Sequence, residues 1–334
     1  MVRVTVGTTF CECVEFVASK MKEATKPLSL GLATLVCFLF TNVRAYADYI
    51  YVSNSGNNTI EKFDSTGADL GVFTSSGLDN PNGVAFDSGG NLYVANYRSG
   101  RAGTIQKFDS NGNGTVFADY DSGETVDGFY WPGVWSPVGL AFDRNGNLYV
   151  ANSSLGTIQE FDSTGKGSLF ASNVYEPTGL AFDSSGNLYV ANDFASYITK
   201  FSPSGQRSIF AYTFSSRPFG LAIDSEDNLY VGLQDSNIIE KFNPSGVGSV
   251  FASTGLNFPD GLAFDSNGNL YAANIGNSTI VKFDSNGTPT VFANAGLAGP
   301  VFLAFQVPEP ATWAMVALGA AALLGGLRLR RWSS

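Results

Sequence analysis

Between Asp48 and Gln306 the apolar positions come in short runs of Val, Ile, Leu, Ala, Tyr and Phe, each closed by Gly, Asn, Asp, Ser or Pro. The stretch Gly179–Ala211 is typical: Gly-Leu-Ala-Phe-Asp, Leu-Tyr-Val-Ala, Tyr-Ile-Thr-Lys-Phe and Ser-Ile-Phe-Ala follow one another with turn residues between them. β-Branched and aromatic runs punctuated in this way predict four short strands joined by tight hairpins. Such a sheet carries apolar side chains on both faces, so it is stable only where neighbouring copies cover it.

Anchored on the glycine of the first run, copies begin at Gly83, Gly139, Gly179, Gly220 and Gly261, spaced 56, 40, 41 and 41 residues apart. A sixth first run, Val301–Phe305, has Phe302 in place of the glycine. The second run recurs around Tyr51, Tyr93, Tyr149, Tyr189, Tyr230 and Tyr271, and the third ends at Phe63, Phe108, Phe161, Phe201, Phe242 and Phe283. The ends are out of phase, because the first copy begins at its second strand and the last first strand stands alone. Pairing Val301–Phe305 with Tyr49–Ser53 completes one blade from both chain ends and removes two bare sheet edges. The expected fold is all-β: a six-bladed β-propeller over residues 48–306 with three-plus-one strand closure.

The units Pro-x-Gly-Leu-Ala-Phe-Asp, Gly-Asn-Leu-Tyr-Val-Ala-Asn and Lys-Phe-Asp-x-x-Gly resemble those of NHL-repeat propellers and their gluconolactonase-like relatives. The resemblance implies the fold. For activity it implies two alternatives, a binding module or a metal-dependent gluconolactonase-like hydrolase, because unrelated functions share this scaffold. The second strand here ends in Ala-Asn at Asn96, Asn152, Asn192 and Asn274, where relatives often carry Asp.

Residues 1–47 stand apart from the repeats. Lys22 and Lys26 precede an apolar run from Leu28 to Phe40, and Ala45-Tyr46-Ala47 follows, the pattern of a secretory signal peptide cleaved after Ala47. Met21 is the alternative start, since the upstream residues make the charged region unusually long. All three cysteines (Cys11, Cys13, Cys37) fall in this leader, so disulfide and thiol chemistry are not expected of the propeller. The tail, residues 307–334, joins Pro308-Glu309-Pro310 to an apolar run, Ala311–Leu327, and then to Arg328, Arg330 and Arg331. It resembles the PEP-CTERM sorting signal, which implies a transmembrane helix with its arginines held in the cytoplasm, and processing by an exosortase. Export through an inner-membrane intermediate to the cell surface or extracellular space is then expected.

The repeats hold 11 Lys and Arg against 25 Asp and Glu, with the cations scattered singly, which excludes a phosphate backbone as ligand. The chain has no His, so propeller lyases that use His as base or metal ligand are excluded as well. Turns after first and third strands are near copies, such as Asp265-Ser-Asn-Gly-Asn269, whereas those after second and fourth strands diverge. Uniform turns suit architecture, and the divergent face is where a ligand would be read. Calcium-loop spacing at Asp265, Asn267 and Asn269 is only partial, since Leu270 stands at the sixth position and Gly276 at the twelfth. No metal or other cofactor is expected on this basis, calcium being the nearest alternative.

The 56-residue step places extra residues at Asp119–Ser136, on the divergent face. This loop carries Tyr120, Phe129, Tyr130, Trp131 and Trp135 beside Asp119, Asp121, Glu124 and Asp127, a composition suited to stacking on sugar rings or to a protein contact. Asn82, Glu176, Arg217 and Asp260 lie at the starts of first strands, around the channel mouth. A gluconolactonase-like enzyme would hold its metal there, and Glu176, Asn192 and Asp260 are the nearest ligand candidates. The leading expectation is a surface binding module for extracellular polysaccharide or a surface protein; the hydrolase is the alternative.

Overall fold

Alternating apolar runs and tight turns fold into six four-stranded antiparallel sheets arranged as a ring. The computed structural model describes residues 48–98, 100–214 and 217–306; the expected signal peptide and the transmembrane sorting helix lie outside the described residues. Among the described residues no helix is long and apolar enough to cross a membrane.

Blade one joins the two ends of the propeller, with Pro300–Gln306 as its inner strand, followed outward by Tyr49–Asn54, Thr59–Phe63 and Asp69–Thr74. Its closing register pairs Ile50 with Phe305, Tyr51 with Ala304 and Val52 with Leu303. The Ser53 hydroxyl receives the Phe302 N–H and donates to the Phe302 carbonyl, fastening the seam from both sides. The inner strands of blades two to six are Pro81–Phe86, Pro137–Phe142, Pro177–Phe182, Pro218–Ile223 and Pro259–Phe264.

Six apolar clusters fill the six blade interfaces. Five of them draw on two adjacent blades, as where Tyr93, Ala95 and Ile105 of blade two meet Leu140, Val150 and Phe161 of blade three, and the one between blades one and two also takes in Val138 of blade three. Five second-strand tyrosines pack edge-on between two phenylalanines; the sixth, Tyr189, meets Phe210 alone, because Ile223 takes the place of the second ring. Tyr93 lies 4.9 Å from Phe117 of its own blade and 5.0 Å from Phe142 of the next. Tyr149, Tyr230 and Tyr271 repeat the arrangement, which is favourable beyond the area it buries.

At the axis the inner strands approach closely at the glycine column. A Cβ on Gly83, Gly139, Gly179 or Gly220 would lie 2.0–2.2 Å from a carbonyl oxygen of the next blade, so no other residue fits there. At the sixth position Phe302 replaces glycine, and its ring lies 5.7 Å from that of Phe219. Together with Val138 and Val301 these rings fill the axis with apolar side chains from three blades.

A chain ending at Gly299 loses the inner strand of blade one, with buried Phe302 and Leu303. Each such side chain contributes about 1.5–3 kcal/mol of burial. Relative to a chain ending at Gln306, the truncated protein is expected to melt on the order of 10 °C lower and to aggregate. An unchanged thermal transition would contradict closure by this strand.

Candidate functional site

The near-identical turns are held by one aspartate each. Asp265 Oδ1 accepts the N–H groups of Asn267 and Asn269 at 2.9 and 2.8 Å, and Oδ2 accepts the Asn269 side-chain amide at 2.7 Å. Asp87, Asp183 and Asp224 bond their own turns in the same way. The calcium-like spacing is thus that of a hairpin staple whose acceptors are already occupied.

On the divergent face, a second-strand asparagine ties down the connection that enters its own blade. Asn96 accepts the Asp79 N–H and donates to the Gly77 carbonyl and Thr104; Asn54, Asn152 and Asn274 make the same set of bonds. These asparagines are structural clamps. Blades four and five break the pattern. Asn192 is fully buried and spends its amide on Val190, Tyr197 and Thr199, leaving Oδ1 without a partner, and Leu233 takes the clamp position in blade five.

A charged cluster occupies this unclamped sector. The Arg217 guanidinium pairs with Asp193 at 3.1 Å, approaches Asp235 at 3.8 Å and lies 4.5 Å above the Phe194 ring. Asp260, 3% exposed, accepts a hydrogen bond from the Gln234 amide, whose own Oε1 is unpartnered. Burial pushes the Asp260 carboxyl up to about 7; the Gln234 bond and the Arg217 charge oppose the rise, and the Asp193 charge adds to it.

Of the channel-mouth residues, the structure brings Arg217 and Asp260 into one electrostatic cluster and leaves the others apart from it. Asn82 is buried with an unpartnered Oδ1. Glu176 is half-buried at φ 34°, and its carbonyl accepts the Asp193 N–H. Glu176, Asn192 and Asp260 do not fit a divalent ion. Among the described residues no three carboxylates converge, and Arg217 already supplies positive charge beside Asp193 and Asp260.

The inserted loop is more ordered than its sequence suggested. Asp119 caps a single 3-10 turn, Tyr120–Ser122, and Glu124–Val126 pairs with Phe129–Trp131 around Asp127 and Gly128, both at positive φ. Asp-Gly between apolar residues is a strong hairpin signal, and it was legible in the sequence. The loop is anchored on blade three. The Glu124 carboxylate accepts the Leu169 N–H, Pro132 accepts the Gln159 amide, and the Asn152 clamp holds Gly133 and Trp135. Tyr120 lies 5.5 Å from Tyr130 and 5.7 Å from Trp135, while Trp131 and Trp135 are half-buried. Phe129 is 73% exposed.

The exposed aromatic residues are distributed asymmetrically. Phe129, Tyr130, Tyr175, Phe194, Tyr212, Phe214 and Phe258 all sit on connections of the divergent face, or at a strand end abutting one. Among the described residues the only other exposed aromatic is Tyr49. Sequence reasoning found only the loop members of this set, because the rest are scattered over four connections.

Asp260 gives the sector a pH signature. A carboxyl raised from 3.8 to about 7 by folding stabilises the native state most below pH ~4, and that contribution is lost as pH rises to about 7. Asp260→Asn removes the dependence, and Gln234 can turn its free Oε1 toward the new amide. Relative to the parent, the variant is expected to gain melting temperature between pH 5 and pH 8, by roughly 2–4 °C for each kcal/mol regained. A difference that stays constant over this range would contradict the assignment.

Residues 306–331 match the PEP-CTERM protein-sorting motif. A chain in the crystal structure of a nidogen/laminin complex superimposes with a TM-score of 0.64 at 19% identity, over 78% of this chain and 98% of that one. Virginiamycin B lyase from Staphylococcus aureus is similar in two structures. The selenomethionine-substituted enzyme gives a TM-score of 0.53 at 15% identity, over 66% of this chain and 73% of that one. A catalytically inactive histidine-to-alanine variant with quinupristin gives 0.57 at 16% identity, over 77% and 88%. At these identities the likeness is one of fold. No curated protein sequence matches the chain. Fold and tail together make this protein an exported, NHL-like six-bladed β-propeller, which its PEP-CTERM motif directs through a membrane-anchored intermediate and exosortase processing to the cell surface.

Proposed function

We propose that the protein is a binding module of the cell surface or extracellular matrix and that its divergent face takes extracellular polysaccharide. The observation that carries this reading is the concentration of exposed aromatic rings on that face. Aromatic faces cost little conformational entropy to present and stack on the apolar faces of sugar rings, while the surrounding carboxylates and amides bond hydroxyls. Trp131 and Trp135, the half-buried tryptophans of the anchored loop, belong to this surface in the proposal, with Phe129 and Tyr130 at its tip.

Two observations favour binding over the gluconolactonase-like alternative. The axis is filled by Phe219 and Phe302, and the residues at its mouth do not fit a metal. The similar lyase is inactive when one histidine is replaced by alanine, and this chain contains no histidine. A protein partner is the second reading, favoured by the similarity to a chain that assembles in a nidogen/laminin complex.

The test is co-sedimentation of the full-length chain, in detergent, with extracellular polysaccharide from the producing cells. Joint replacement of Phe129, Tyr175 and Phe214 by Ser is expected to weaken binding at least about tenfold with little change in melting temperature, because these rings lie outside the core. Unaltered binding by the variant would contradict the proposal. Loss of capture of a surface protein, with no polysaccharide bound by either form, would support the second reading.

A further inference from the structure

A cavity of about 970 Å³ lies on the face of uniform turns and is entered between blades three and four. It coincides with the one blade in which a repeated ion pair lacks its lysine. In blades two, four, five and six a third-strand lysine reaches the turn aspartate: Lys107 to Asp87 at 3.6 Å, Lys200 to Asp183 at 3.7 Å, Lys241 to Asp224 at 3.5 Å and Lys282 to Asp265 at 3.7 Å. The same ammonium lies 4.8–5.2 Å above the second-strand tyrosine ring, and Lys200 donates to the Tyr189 hydroxyl at 2.7 Å. Aspartate and tyrosine thus hold an ammonium group in four copies, with the turn asparagine orienting the aspartate.

In blade three the aspartate, asparagine and tyrosine remain as Asp143, Asn147 and Tyr149, but the lysine is replaced by Glu160. Where four blades place a cation, this one adds a second carboxylate. The Asn147 amide bridges Asp143 and Glu160 at 3.3 and 2.9 Å, and among the described residues no side-chain cation pairs with either. Burial pushes the Tyr149 hydroxyl pKa up, and the Glu160 and Asp143 charges push it further; at Tyr93 and Tyr230 the lysine pulls the other way. The equivalent notch between blades five and six contains Lys241 and measures about 540 Å³. Around the larger one stand Asp143, Glu160, Asp183, Asp224 and Asp227 against the single exposed cation Arg144. Asp183 and Asp224 have their own lysines and Asp227 accepts the Ser184 N–H and hydroxyl, which leaves Asp143 and Glu160 of blade three as the adjacent pair of carboxylates without a lysine.

We propose that this notch binds a primary ammonium group supplied by a ligand, with Asp143, Glu160 and the Tyr149 hydroxyl as its acceptors and the Tyr149 ring beneath it. The ligand supplies the cation that the chain builds into its other blades, and the larger cavity gives it room to enter. Amino sugars and lysine side chains both present this group. The site lies on the face opposite the exposed aromatic surface and stands or falls independently of it.

Titration calorimetry of the full-length chain in detergent tests the proposal with two amines, glucosamine and Nα-acetyl-lysine amide, and with N-acetylglucosamine as the uncharged control. At least one amine is expected to bind the parent at least tenfold more tightly than it binds Glu160→Lys, which carries its own ammonium. The same amine should lose a similar factor on Glu160→Gln, which removes the charge without filling the notch, and the control should not bind. Whichever amine binds identifies the source as sugar or peptide. Equal binding of both amines to parent and variants, no binding of either, or binding of N-acetylglucosamine as tight as that of glucosamine would overturn it.

Discussion

The architecture depends on the close approach of inner strands at the glycine column. At Gly83, Gly139, Gly179 and Gly220 a methyl group would penetrate the carbonyl of the next blade, so the blades can wedge together around the axis only where that side chain is missing. The outer strands, with Val72, Val116, Ile209, Val250 and Val291 exposed, are free of that constraint.

The same constraint accounts for the exception at Phe302. The blade assembled from both chain ends carries a large ring where the others carry none, and Ser53 grips its backbone. The ring points into the space that five glycines leave open and meets Phe219 there. A residue that breaks the repeat thereby fills the axis and turns a potential channel into core. The two rims differ: one is stapled by near-identical aspartate turns, and the other, to which the proposal assigns recognition, releases its clamps in blades four and five and presents aromatic rings.

Much of the fold was legible in the sequence because repeats spell out local pairing. Six tyrosine-centred second strands and the out-of-phase ends predicted both the blade count and the closing pair of strands, whose register, with Ile50 opposite Phe305, comes from the structure. The site was less legible, for physical reasons that differ by residue. Phe219 and Phe302 are far apart in the chain and meet only across the axis. Asn96 and Asn152 look like lost ligand positions when compared with relatives, yet their amides fasten connections whose carbonyls no pattern names. Glu160 was visible as one break in a column of lysines, but only the fold shows that this column faces a tyrosine in every blade and, in four of them, a turn aspartate.

Binding through one rim is the central functional claim, and hydrogen–deuterium exchange of the full-length chain with and without extracellular polysaccharide tests it most directly. The account predicts slowed exchange confined to the connections after second and fourth strands, strongest in the Asp119–Ser136 loop and in the segments around Phe194, Phe214 and Phe258. Protection centred on the aspartate-stapled turns of the opposite rim, or none on either rim, would contradict it.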